Sequence, residues 1–279
     1  MGPNDDDTRE AIDRALGDWR QGDCVLGEQH FIFRLDTETP LTGEAATAAD
    51  EGADAAEVEV RGFMVATQTC DIVRSCRDRP FLEVCPLVEI EEAVLDEIRR
   101  GRRPGYAFVP GVADNGLVAD LDRVMTVEKA VVACWRRTQG CQDGDDCRRL
   151  ALSLARKRAR FAFPDDFVRL AQPLIKRLSS KHDKNSAEGR ALRSLREVRV
   201  RPAPSWDAER VELLFWFIRE DGEPIFEELT WNQWLERWLT LVPASDRFRP
   251  VEGQVTTLDD MTARDYVDSD PLDLDHLSG

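Results

Sequence analysis

The chain has 279 residues, 42% of them hydrophobic, a net charge of −16 and seven cysteines. Such a length and apolar content can bury one large or two modest cores and exclude a wholly disordered chain, while the longest apolar run, 211–218, is far too short for a membrane span. The opening MGPNDDDTRE carries no apolar leader and the cysteine count is odd without any Cys-x-x-Cys pair, so the expectation is a cytoplasmic protein with reduced thiols, no metal, no cofactor and no membrane partner.

Residues 5–21 predict a short helix, with Ile12, Leu16 and Trp19 spaced for one face and Gly22 as its stop. A first strand follows over 24–35. The segment 36–57 is rich in Ala, Glu, Asp and Thr with little to bury, which predicts a mobile loop. Residues 58–90 hold two apolar, β-rich runs bounded by Gly62 and Pro80, flanking the polar knot TQTCD at 67–71. A polar cluster where a strand leaves the core suits a site, and equally suits a turn whose side chains satisfy free backbone groups. Residues 91–100 predict a helix with acids first and arginines last; 106–109 and 116–121 predict short strands, and 127–137 a helix capped by Thr126.

The second half changes character. Residues 148–201 contain 16 Lys or Arg against 5 Asp or Glu, a net +11, so the rest of the chain carries −27. A confined basic segment in an acidic chain admits a nucleic-acid partner that the total charge would argue against. Within it, a basic helix is expected over 149–161, a second from Asp165 or Asp166 toward Lys181 that Pro173 should bend, and a short helix capped by Ser186. Strands are expected at 197–201 and 210–218, with a tight turn at Asp221 and Gly222. Thr230 and Gln233 predict a capping box for a helix carrying Trp231, Trp234, Leu235 and Trp238 on one face. The last stretch, 252–279, is acidic and predicts a flexible tail whose Tyr266, Leu272, Leu274 and Leu277 would dock in a groove while its acids compete for the basic segment.

The order QGDCVLGEQHFIF, loop, RGFMVATQ, FLEVCPLVEI, GYAFVPG, GLVADLDRVMTVEKAVV resembles the small β-barrel of the PemK/MazF family of toxin-antitoxin endoribonucleases, over about half the chain. With the barrel the resemblance implies, the whole reads as an α+β protein: an N-terminal helix (1–21), a PemK/MazF-like β-barrel with a helical insertion (22–137), a basic helical segment with a small α/β region (148–250), and an acidic tail (251–279). In that family an Arg before the second strand and a Thr or Ser ending the third cut RNA at the ribose hydroxyl. Arg61 matches the first position, whereas the second falls at Val88 or Glu89, neither of which carries a hydroxyl. An active metal-independent nuclease and a barrel that has lost its cleavage chemistry are both compatible with this pattern.

Two further constellations stand beside it. Arg177 and His182 in RLSSKH have the Arg-x4-His spacing that resembles the helical ribonucleases called HEPN domains. Around them Lys181, Lys184, Arg190 and Arg193 supply donors suited to phosphate. In the TQTCD knot, Cys70 is a candidate nucleophile with Asp71 or Gln68 in support and His30 as base; the alternative is an inert thiol. The reading of the whole is therefore a nucleic-acid-interacting protein of bacterial toxin-antitoxin or phage-defence type, with RNA or single-stranded DNA as partner and RNA cleavage by Arg61 or by Arg177 and His182 as its enzymatic form. The alternatives are an adaptor that binds protein partners through the acidic tail and Trp-rich helix, and a Cys-dependent hydrolase.

Overall fold

A computed structural model describes residues 3–99, 103–158, 161–182, 184–219 and 229–272. It is mixed α+β and divides into two units, Met1–Arg160 and Phe161–Gly279. In the first unit, helix α1 (Pro3–Leu16) precedes strand β1 (Cys24–Arg34), helix α2 (Gly43–Asp50), strand β2 (Ala55–Val65), the single turn α3 (Thr69–Ile72) and strand β3 (Phe81–Glu89). Helix α4 (Glu92–Arg99), strand β4 (Tyr106–Ala107), turn α5 (Pro110–Ala113), strands β5 (Leu117–Asp120) and β6 (Met125–Glu128), and helices α6 (Lys129–Ala133) and α7 (Gly144–Arg158) complete it.

The apolar runs of 58–90 become the centre of an antiparallel sheet of order β1-β2-β3-β5-β4, with β6 also on β3. Phe63, Val65, Leu82 and Val84 pack with Leu16 and Trp19 of the N-terminal segment, and Met64, Cys85 and Leu87 with Val109, Ala119 and Leu150. A β-bulge between Leu26 and Gln29 brings the β1 backbone onto β2 at Gly62, whose φ is 140° and where a Cβ would overlap the Val25 carbonyl; glycine alone fits. Among the described residues the pairing ends at β1 and β4, and no closed barrel is found. The edges of β1 and β6 do approach, the Ile32 N–H lying 3.4 Å from Met125 Sδ.

Two expectations for this half are corrected. Residues 36–57 are not a featureless loop: Thr42 Oγ1 accepts from the Ala45 N–H at 3.1 Å and caps α2, and β2 already begins at Ala55, opposite Arg34. Thr126 caps no helix; Thr126 and Val127 pair with Glu83 and Leu82 as strand β6, and the helix starts only at Lys129. β-branched residues beside an open strand edge gain more from ladder pairing than from an exposed helical turn.

In the second unit, helices α8 (Asp165–His182) and α9 (Ala187–Arg193) precede strands β7 (Leu195–Ala203) and β8 (Val211–Arg219), helix α10 (Trp231–Leu239), strand β9 (Phe248–Thr256), helix α11 (Ala263–Val267) and strand β10 (Asp270–Pro271). The sheet order is β10-β7-β8-β9, with β8 and β9 parallel and the other pairs antiparallel. Phe167, Leu174 and Leu178 of α8, Trp234 and Trp238 of α10 and Phe215 and Phe217 of β8 form one core. Pro173 lies inside α8 without ending it, and the capping box of Thr230 and Gln233 forms as its spacing predicts. The turn expected at Asp221 and Gly222 lies outside the described residues.

The segment expected to be a flexible acidic tail is, as far as residue 272, part of this sheet. Val251 and Val255 pack on the core from β9, Asp270 pairs with Val200, and the Leu272 N–H donates to the Val198 carbonyl at 2.8 Å with its side chain buried. Arg199 is the clamp: buried in β7, it donates through Nε to Ser269 Oγ at 2.9 Å and to the Ser269 carbonyl, contacts Glu197 at 3.1 Å and lies 4.1 Å from the centre of the Tyr266 ring. Arg201 holds Asp265 at 2.6 Å and Trp206 Nε1 donates to Asp270 at 2.8 Å. Leu274 and Leu277 lie outside the described residues.

Candidate functional site

The TQTCD knot is held together by its own side chains. Thr67 Oγ1 accepts from the Glu83 N–H at 2.7 Å, Thr69 Oγ1 accepts from the Gln21 N–H at 3.1 Å, and Gln21 Nε2 donates to the Ala66 carbonyl at 2.8 Å. Beneath it lies a residue that pattern reading passed over. Lys129 is buried to 1% exposure and its Nζ donates to the carbonyls of Asp71, at 2.9 Å, and Arg74. Burial draws its pKa down, and Asp13, Cys76 and Asp71 draw it partly back. Burial alone would raise the Asp13 carboxyl, but the Cys76 N–H it accepts at 2.7 Å brings it below the usual carboxylate range; the Cys76 thiol is pushed up, first by burial and then by Asp13. The cation thus closes the carbonyl end of α3.

Cys70 is exposed and its thiol faces Gln68 Oε1 at 3.7 Å, whereas His30 Nδ1 is 3.6 Å from Glu57. No hydrogen bond among the described residues joins Cys70 to His30, so the nucleophile and its proposed base are not assembled. Asp71 pairs with Arg74 at 3.3 Å. Arg61 lies on the exposed face of β2, with Nε 2.8 Å from Glu89 Oε1 and Nη1 4.0 Å from Glu59. Glu89 therefore neutralises the Arg61 cation.

Arg177 is tied in the same way. Its guanidinium makes two bonds to the buried Glu188 carboxylate, at 3.0 and 2.7 Å, and Trp238 Nε1 donates to that carboxylate at 3.2 Å. This triad joins α8, α9 and α10. Arg177 and His182 both lie on α8, five positions and about 140° of helical turn apart.

The basic turn between α8 and α9 is arranged differently. Ser186 Oγ accepts from the Gly189 N–H at 3.1 Å and caps α9, and Gly189 lies against the carbonyls of Lys181 and Lys184, where a Cβ would overlap. From the other end of α9, Arg193 Nη1 donates to the carbonyls of His182 at 2.7 Å and Lys184 at 3.1 Å. These contacts fix the backbone of the turn through its acceptors. The cations of Lys181, Lys184 and Arg190 make no ion pair among the described residues, and Lys184, Arg190 and Arg193 are exposed. By contrast Arg199 and Arg201 hold the C-terminal segment, and Arg247 clasps Asp166 at 2.6 Å. The Asp166 carboxyl is held below its ordinary range chiefly by that guanidinium.

Among the described residues no group of three or more His, Cys, Asp or Glu side chains is arranged to hold a metal ion, and no helix is long and apolar enough to cross a membrane. No family model, curated protein or solved structure matches the chain.

Proposed function

We propose that this chain binds RNA or single-stranded DNA through the basic turn joining α8 and α9, as a nucleic-acid-interacting protein of toxin-antitoxin or phage-defence type that does not cut through Arg61 or through Arg177 with His182. The observation that carries the reading is the contrast between cations. Arg61 and Arg177 are neutralised by Glu89 and Glu188, while Lys181, Lys184 and Arg190 stand on and beside a braced turn and make no ion pair among the described residues. Unneutralised side chains on a fixed backbone release phosphate counterions on binding at little conformational cost. On this reading the first unit is a PemK/MazF-like barrel. The antiparallel order about β3 and the approach of Ile32 to Met125 across the free edges are what support it.

The test is fluorescence anisotropy of labelled single-stranded oligonucleotides over a salt series. Three cations contacting phosphate give a slope of log affinity against log salt of about −2, and the triple variant Lys181→Glu, Lys184→Glu, Arg190→Glu should abolish binding. Affinity that is insensitive to salt, or unchanged in that variant, refutes the reading. Cleavage of an RNA pool that is lost in Arg61→Ala or His182→Ala refutes its non-cleaving part.

A further inference from the structure

In the first unit, the N-terminus of α7 places two thiols at one cavity. Asp143 Oδ1 accepts from the Asp145 and Asp146 N–H groups at 2.9 Å each and caps the helix, while Asp146 Oδ2 accepts from the Gln142 N–H at 2.9 Å. This second bond folds the approaching chain back over the first helical turn, where an entering residue and the fourth helical residue commonly pack together. The residue before the cap is Gln142, Cys141 precedes it, and Cys147 is the fourth residue of the helix. Both thiols line a cavity of about 720 Å³ whose walls include Trp19, Arg20, Trp135 and Arg137.

The two thiols differ. Cys141 is buried, lines the same cavity as Cys147, and is pushed up to about 12, first by burial and then by Cys147. Cys147 is exposed. A third thiol, Cys24, is fully buried behind them and donates to the Gly22 carbonyl at 3.3 Å. An oxidant entering the cavity therefore meets the exposed Cys147 first, with the buried Cys141 on the wall of the same cavity and Cys24 withheld.

We infer that Cys141 and Cys147 form a reversible thiol-oxidation site that takes hydrogen peroxide, with Cys147 as the attacking and Cys141 as the resolving thiol. The Cys147 thiolate attacks one peroxide oxygen; an S–O bond forms, the O–O bond breaks, and the departing hydroxide takes up the proton that Cys147 released. The resulting sulfenic acid is attacked by the Cys141 sulfur, an S–S bond forms, the S–O bond breaks, and water leaves with the Cys141 proton. Two thiols are oxidised to one disulfide and one peroxide is reduced to two waters. Their place on one cavity, six residues apart in the chain, makes the second step internal, so it outruns capture of the sulfenic acid by an outside thiol or a second peroxide.

The experiment treats the full-length protein with hydrogen peroxide, blocks remaining thiols by alkylation, and maps tryptic peptides by mass spectrometry. Residues 138–148 form one tryptic peptide that contains Cys141 and Cys147 and no other cysteine. The expected product is that peptide lighter by two hydrogens and unalkylated, restored to two alkylated thiols by dithiothreitol. The exposed Cys70 and Cys134 should show no internal bridge. Cys147→Ser should leave Cys141 reduced, and Cys141→Ser should let Cys147 pass on to sulfinic acid; circular dichroism confirms that each variant is folded. Both thiols of the peptide remaining alkylatable while Cys70 and Cys134 oxidise overturns the proposal, as does a bridge from Cys147 to any cysteine other than Cys141.

Discussion

Replacing Glu188 by alanine should destabilise the second unit more than any surface charge change, because that carboxylate serves two partners of different exposure. Trp238, buried to 1%, loses the one acceptor of its Nε1 among the described residues, and an orphaned buried donor costs about 1 to 3 kcal/mol. Arg177 loses two bonds, but its side chain is 47% exposed and rehydrates, so that loss is discounted to about 1 kcal/mol. The sum is about 3 kcal/mol, with Glu188→Gln costing about half because the amide oxygen can still accept from the indole. Urea unfolding followed by tryptophan fluorescence measures it, since five of the seven tryptophans lie in this unit. Arg177→Ala combined with Glu188→Ala in a double-mutant cycle should give a coupling of about 1 kcal/mol or more. If Glu188→Ala shifts stability by no more than about 0.5 kcal/mol, the scale of a neutral surface change, Arg177 is not a structural cation and its assignment away from catalysis fails.

Other outcomes follow from the same geometry. Gly62→Ala, with φ at 140° and the Val25 carbonyl in the way, should cost about 3 kcal/mol in thermal or urea unfolding of the first unit; a neutral result would mean that β1 does not cross β2 there. Lys129→Ala leaves the carbonyls of Asp71 and Arg74 without their donor and should destabilise by about 2 to 3 kcal/mol, with hydrogen exchange rising first in the 67–76 segment; uniform exchange would contradict the clamp. Asp166 has its pKa lowered by Arg247, so its contribution to stability is full above the ordinary carboxylate pKa and disappears as the pH falls through the lower folded value. Asp166→Asn should therefore flatten that acid limb, which a pH series of unfolding midpoints checks. Removal of residues 252–279 deletes most of β9 and all of β10 and should unfold the second unit, seen as lost near-ultraviolet circular dichroism, rather than expose a nucleic-acid site; stronger oligonucleotide binding by a folded truncation would restore the masking-tail picture.

The amino-acid order alone determined the elements that carry a local signature. Short apolar runs specified β1, β2, β3 and β8, the Thr230–Gln233 pair specified the start of α10, and Ser186 the start of α9, because caps and local apolar patterning act within one or two turns of chain. The concentration of positive charge in 148–201 and the candidate cations on the α8–α9 turn were equally plain from composition. Tertiary structure decided what those groups do. Arg61 meets Glu89 from 28 positions away, Arg199 meets Ser269 from 70, and Lys129 reaches the Asp71 carbonyl from 58, and no periodicity encodes such meetings. The same holds where 125–128 becomes a strand and the acidic 251–272 folds onto β7 and β8. A segment beside an unpaired sheet edge takes its conformation from the ladder it completes, and a charged side chain takes its role from whichever opposite charge the fold sets beside it.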